Sequence, residues 1–337
     1  MTNRERIKTI FSGREADRCG FWLGMPHKDT WPIYLKYFGF SEPEELRRFL
    51  GDDIRWIAAD SSADWYKHPE GKTPFNFVPI PNSIDPEPVL ADWETAADVD
   101  AFDWPNPDYL DFTEPINALR NAGDVYRASG MWTCFFHIIA WLFGMENYFI
   151  KMYTNPEVVE AATQHVCDYF YEANERFFKE AGDEVDAFFL GNDLGTQLDL
   201  LISPEMFDRF IMPHIRRFVD QGHSHGYQVM LHSCGAIHKV IDRFIDAGVD
   251  ALHPLQAKAS YMDAETLARD FKGKIAFLGG IDTQNLLVHG TPDDVRAEVR
   301  RVKKLLGPCL VISPSHEALL SNVPPENVLA MARAASE

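Results

Sequence analysis

Basic residues are in short supply. Lysine and arginine number 32 against 51 aspartates and glutamates, a formal charge of 32 − 51 = −19. A chain this acidic disfavours nucleic acid and anionic membranes as partners. It leaves small molecules open, because a pocket can differ in sign from the whole. Cysteine is scarce as well. The five (Cys19, Cys134, Cys167, Cys234, Cys309) are odd in number and scattered through a chain too large to need a disulfide framework. That reads as a reducing, cytoplasmic setting in which any special cysteine is chemical rather than structural. No apolar run approaches the ~18 residues of a bilayer span. The charged start, Met1 to Lys8, lacks a signal-peptide core. No glycine-rich phosphate loop follows the first candidate strand, which weighs against an open nucleotide-binding sheet. No low-complexity stretch or linker divides the chain.

What is present suits one large domain over residues 1–337, with 46% of residues hydrophobic and 25% charged. Eight short apolar runs stand out: Cys19–Gly24, Asp53–Ala59, Val125–Trp132, Val185–Gly191, Gln228–Gly235, Val249–Leu255, Ile275–Ile281 and Cys309–Ser313. Helical patterns alternate with them. Ser41-Glu-Pro-Glu-Glu and Ser203-Pro-Glu-Met open helices with a cap, an early proline and acids at the positive dipole end. Residues 145–181 are helical with a break near Asn155-Pro156, 236–247 read as a helix, Thr291-Pro-Asp-Asp carries a capping box, and a last helix begins near Pro325. This rhythm predicts an α/β fold, a single-domain (β/α)8 TIM barrel, with a doubly wound sheet as the runner-up. Residues 60–115 break the rhythm. They are rich in Pro, Trp and Asp, and are expected to form a long excursion over the barrel mouth.

In such a barrel the chemistry belongs at the carboxyl ends of the strands. Those ends supply Trp132; Asn192, Asp193 and Gln197; His232 and Cys234; His253 and Gln256; Asp282; and Ser315, His316 and Glu317. Period-two alternation puts His232 and Cys234 on one side of their strand. An imidazole beside a thiol can hold a borderline metal or form a nucleophile–base pair. The plainer alternative is a buried thiol beside a satisfied imidazole. Asp193 and Asp282 can equally cap the turns that follow them. His253, ahead of Pro254, reads as structural rather than ligating. Gly279-Gly280 reads as close backbone approach. Cys309 reads as core packing and is the rival of His316 for a third ligand. Trp132 reads equally as packing and as a stacking surface.

Several stretches resemble the uroporphyrinogen decarboxylase superfamily: Leu231-His-Ser-Cys-Gly235, Leu278-Gly-Gly-Ile-Asp282 with Thr291-Pro-Asp-Asp-Val295, Ser313-Pro-Ser-His316, Pro325-Glu-Asn-Val328, Gly191-Asn-Asp-Leu-Gly-Thr-Gln197, and Arg4-Glu-Arg6 with Ala16-Asp-Arg18. The resemblance implies a (β/α)8 barrel and one of two chemistries. One is metal-free decarboxylation of porphyrinogen acetates. The other is zinc-dependent methyl transfer between a methylated small molecule or thiol and a corrinoid protein. The decarboxylases carry an arginine-rich segment after the first strand. Here that place reads Gly24-Met-Pro-His-Lys28, without the arginines that would grip a polycarboxylate. The methyltransferases carry His-x-Cys and a distant Cys. His232 and Cys234 match the pair, and His316 stands where the distant Cys would be. The resemblance therefore implies His232, Cys234 and His316 as zinc ligands, with Asp193 or Glu317 as a fourth. Asp193, Asp282 and His316 are the catalytic candidates, and Trp132, Gln197, Gln256 and Met25 the substrate-binding ones. A zinc held by His, Cys and His keeps uncompensated positive charge, which suits polarisation of an oxygen or amine donor. A methoxylated aromatic flanked by Trp22, Trp56, Trp65 and Trp132 fits that expectation. The expected partners are a small-molecule substrate, a corrinoid protein and a second copy in a homodimer. A metal-free decarboxylase, and a barrel that only binds a tetrapyrrole or corrinoid protein, are the alternatives.

Overall fold

The computed structural model describes residues 1–81, 83 and 85–337; Asn82 and Ile84, inside the 60–115 stretch, lie outside the described residues. Eight parallel strands form one sheet: β1 (Gly20–Phe21), β2 (Ile54–Ala58), β3 (Tyr126–Gly130), β4 (Ala187–Gly191), β5 (Gln228–His232), β6 (Ala251–Leu255), β7 (Ala276–Ile281) and β8 (Leu310–Pro314). From β2 to β8 each strand pairs with its sequence neighbour, and β1 pairs with β8. Between β1 and β2 the Asp53 N–H donates to the Phe21 carbonyl at 2.8 Å, so the barrel is nearly closed. The expected eightfold rhythm is the architecture.

Two apolar cores follow from the alternation of side chains along the strands. One fills the barrel: Ile54, Tyr126, Ala128, Ala187, Phe189, Met230, Ala251, Leu278 and Val311, plugged from below by Ile7, Ile10 and Phe11 of the helix Asn3–Phe11. The other lies between the strands and the outer helices. Cys309 sits 5% exposed in the barrel core at the start of β8, on the floor, far along the strand from the mouth. It is packing and is no rival for a ligand position. The same alternation carries past Met230 to His232 and past Ala251 to His253. The top layer of the barrel interior is therefore polar.

The floor is tied by buried ion pairs. Asp53 accepts from Arg6 at 2.8 Å, from Arg18 at 2.9 and 3.0 Å and from the Phe21 N–H at 2.8 Å. The Arg4-Glu-Arg6 and Ala16-Asp-Arg18 motifs are thus structural, joining the first helix to β1 and β2.

Among its described residues the 60–115 stretch holds only short elements, including the helix Ala96–Asp100. Its contacts run along the flank. Leu90 N–H donates to the Leu142 carbonyl at 2.7 Å, Phe75 packs on Tyr169, and Trp104 stacks on His165 at 4.8 Å. It reaches the mouth where Asp60 accepts from the Trp132 N–H at 3.3 Å. The helix expected over 236–247 starts later. A 3-10 turn spans His238–Val240 and the helix Ile241–Ala247. Ala236 N–H is drawn aside to the Thr196 carbonyl at 2.7 Å, so the chain after β5 first follows the β4 loop.

Candidate metal centre and active site

β4 and β5 run in register, with Gly191 beside His232, and each continues into a loop that bears donors. The Cys234 N–H donates to Asp193 Oδ1 at 2.9 Å, which folds the carboxylate back over the thiol. His232 Nε2 lies 3.4 Å from Cys234 Sγ and 3.1 Å from Asp193 Oδ1. Ligand atoms of Asp193, His232 and Cys234 fall within 4.8 Å of one another. A second group shares the same imidazole from its other side. His232 Nδ1 lies 2.9 Å from His253 Nδ1 and 3.9 Å from Glu317 Oε2. Glu317 is placed by its backbone: Gly24, at φ 77, lets the loop after β1 close on residue 317, and the Met25 N–H donates to the Glu317 carbonyl at 2.7 Å. A Cβ at residue 24 would stand 2.4 Å from that carbonyl oxygen.

The electrostatics ask for a cation. Burial pushes the Cys234 thiol up, and the charges of Asp193 and Glu317 push it further. Burial alone would raise the Asp193 carboxyl, but the hydrogen bond and charge of His232, with the Cys234 N–H, hold it well below the usual range. Glu317 Oε2 is buried with no hydrogen-bond partner among the described residues. A thiol, an imidazole and two carboxylates, one of them with an oxygen 3.6 Å from His316 Nδ1 but hydrogen-bonded to nothing among the described residues, fit a zinc-type ion. With Asp193 as donor, one thiolate and one carboxylate balance the dication. The uncompensated charge expected for a His–Cys–His set is then missing.

His316 belongs to neither group. Its Nδ1 accepts from the Ala318 N–H at 3.1 Å, its side chain is 41% exposed, and it lines the adjoining cavity. Asp282 is turned from the cluster too. Its carboxylate accepts from the N–H groups of Gln284 at 2.8 Å, Asn285 at 3.3 Å and Leu286 at 3.4 Å, and so caps the turn after β7. Gly279, at φ 131, has Leu255 N within 2.6 Å of where a Cβ would stand, which is the close approach expected of the glycine pair.

Gln197 and Gln256 do meet at the site. Gln256 Oε1 accepts from Gln197 Nε2 at 2.9 Å and from the Gly235 N–H at 3.0 Å, one residue past the thiol. Both line a cavity of about 400 Å³ with Lys258, Thr283, Ser315 and His316. Met25, 39% exposed, is joined to Glu317 through its backbone N–H and is not among the residues lining this cavity. Trp132 packs edge-on against His232 at 5.1 Å and, at a tilt, against Trp56 at 4.9 Å. The other tryptophans do not form an aromatic slot: Trp22 is fully buried and Trp65 packs on Tyr66 inside the flanking stretch.

Three residues at the mouth have no part in the sequence reading. His137, on the helix Phe135–Phe143, feels the charges of Asp193 and His232, and its Nδ1 is buried without a partner among the described residues. Burial raises the carboxyl of Asp60, the second residue past β2. Cys134 is pushed up to about 12 by burial and the charge of Asp60. Asp60 carried a signal, its place just past a strand end; His137 carried none, because it faces the site from a helix.

The chain belongs to the uroporphyrinogen decarboxylase (URO-D) family, whose model matches residues 81–337. Among solved structures it is similar to a methyltransferase from Methanosarcina mazei, at 16% identity over 100% of this chain and 98% of that one, with a TM-score of 0.69. At that identity the likeness is one of fold. A dihydropteroate synthase from Thermus thermophilus (17% identity, 42% and 53% of the two chains, TM-score 0.29) and a D-psicose 3-epimerase (8%, 88% and 84%, TM-score 0.37) fall too low to add to this. No curated protein in the comparison matches the chain. No helix of the described residues is long and apolar enough to cross a membrane.

Proposed function

We propose that this barrel is a zinc-dependent methyltransferase that moves a methyl group between a small polar molecule and a corrinoid protein. The observation that carries the reading is the convergence of Cys234, His232 and Asp193 at the mouth, with an unpartnered Glu317 oxygen beside them. Zinc held by His232, Cys234 and Asp193 would supply Lewis acidity toward the heteroatom of a methylated substrate or toward an acceptor thiol. Gln197 and Gln256 orient the substrate in the adjoining cavity. Trp132 walls off one side of His232. A corrinoid protein docked at the mouth would supply an electron-rich cobalt whose own electron pair bonds the methyl group, while the old bonding pair would stay on the polarised heteroatom. His316 takes a place in the cavity lining, and Asp282 holds the loop.

Among the described residues, Lys258 is the one lysine or arginine lining the cavity, beside amides and hydroxyls. A polycarboxylated porphyrinogen needs several cations. That supports a substrate of at most one negative charge and weighs against decarboxylation. Elemental analysis of protein purified without chelators tests the reading. Near-stoichiometric zinc that is lost in Cys234→Ala supports it. Metal-free protein that consumes uroporphyrinogen establishes the decarboxylase instead, and metal-free protein that binds a tetrapyrrole without turnover establishes a binding barrel.

A further inference from the structure

We propose that His253 is the positioning residue of this centre: its buried imidazole accepts the Nδ1 proton of His232 and so keeps the Nε2 lone pair of His232 aimed at Cys234 and Asp193. The inference rests on the metal-site reading above. His232 stands between two donor groups and presents one nitrogen to each. Which nitrogen is free decides which group an ion can join. Nε2 faces the thiol and the Asp193 carboxylate, at 3.4 and 3.1 Å. Nδ1 faces His253 Nδ1 at 2.9 Å. With no ion between them, two ring nitrogens at that distance share one hydrogen, since two lone pairs repel and two N–H groups collide. The tautomers of the rings are therefore coupled. When Nε2 of a neutral His232 serves as a ligand, its proton is on Nδ1, and His253 Nδ1 is the acceptor that receives it. His253 then carries its own proton on Nε2.

The arrangement is built into the barrel. β5 and β6 pair with His232 opposite His253, so the two rings meet by strand register rather than by loop conformation. His253 is 1% exposed. Trp22 lies edge-on to its ring at 5.1 Å and Phe189 at 5.5 Å, which holds the plane. The Ser233 N–H, between the two ligands, donates to the His253 carbonyl at 2.7 Å and fixes the backbone as well. Among the described residues, His253 Nε2 has no partner. The ring's one polar contact is thus His232.

Zinc affinity by chelator competition tests this, with the optical spectrum of the Co(II)-loaded protein as a second readout. His253→Phe removes the acceptor and keeps the bulk; the expected loss is roughly 10–100-fold in zinc affinity, with a changed Co(II) spectrum. His253→Asn places an amide oxygen where Nδ1 stood and is expected to stay within a few-fold of the unsubstituted protein. His253→Phe with unchanged affinity and spectrum overturns the inference, and so does His253→Asn as weak as His253→Phe. Should His253→Phe fail to fold, ¹⁵N-histidine NMR of the unsubstituted zinc-loaded protein decides. Protonated Nδ1 on His232 supports the inference, and unprotonated or metal-bound Nδ1 overturns it. Failure of the metal-site reading looks different: Cys234→Ala then binds zinc as well as the unsubstituted chain does.

Discussion

At the scale of single residues, Cys234 is the side chain whose chemistry depends most on its neighbours. Without a cation it is held as a thiol by burial and by the charges of Asp193 and Glu317. Alkylation requires the thiolate. The metal-free protein should therefore react with iodoacetamide at pH 8 far more slowly at Cys234 than a free thiol does. Asp193→Asn removes one of the two opposing charges, which lowers the thiol pKa, so the labelling rate at Cys234, read by peptide mass spectrometry, should rise several-fold. An unchanged rate would mean that burial alone controls the thiol. Lys258 gives a second residue-scale test. Among the described residues it is the one lysine or arginine of the cavity, with Asp282 at 3.7 Å, and that carboxylate is already engaged by three N–H groups. Lys258→Met should raise KM for a singly anionic methyl donor by about 10-fold or more, as a lost charge-assisted contact of ~1.5–3 kcal/mol implies, with kcat little changed. A fall in kcat with constant KM would place Lys258 in the reaction itself.

At the scale of elements, the floor and the mouth of the barrel divide the labour. Asp53 joins the first helix to β1 and β2 through two guanidiniums and has a fully buried carboxylate. Asp53→Ala removes the buried carboxylate that Arg6 and Arg18 share and leaves Arg6 only the exposed partner Asp17. Urea unfolding should then show a loss of about 3–5 kcal/mol, the cost of breaking one side of a buried pair. A loss below ~1 kcal/mol, the range of surface pairs, would mean that the network is solvated. The strands themselves were legible because parallel strands, covered on both faces, read as short apolar runs. Even β1, two residues long, lies inside the run Cys19–Gly24. His232, Cys234 and Asp193 were legible for the same reason, as polar residues where such runs end. The second donor group was not. His253 joins His232 through the register of β5 on β6, a contact between strands that no local spacing reports. His316 misled in the opposite way, because its Nδ1 turns to the N–H two residues on, a short-range bond invisible in the motif. The start of the helix after β5 was misplaced because Ala236 pairs with a loop forty residues earlier.

At the scale of the whole molecule, the acid limit of stability is set first by histidine. Burial depresses His214 to about 4 and lowers His137 and His253 as well. The sign follows from linkage. A histidine whose folded pKa lies below its unfolded value of about 6.5 binds fewer protons when folded, so its stabilising contribution is complete above that value and is lost as pH falls from there toward the folded pKa. The carboxylates held low, such as Asp193, Asp17 and Asp111, act in a lower window. Their contribution is present above the unfolded value near 4 and is lost only below it. Between pH 6.5 and 4.5 the fall in stability should therefore belong to the buried imidazoles. The urea midpoint of the metal-free protein should decline through that window, and His214→Asn should flatten the decline while leaving its place on the pH axis unchanged. His214 is the ring to replace, since His253 and His137 face the mouth and His214 sits on the outer helix Met212–Ser224. A midpoint that is level down to pH 4.5 and then drops would assign acid unfolding to the carboxylates, and would mean that these imidazoles reach water more readily than their packing implies.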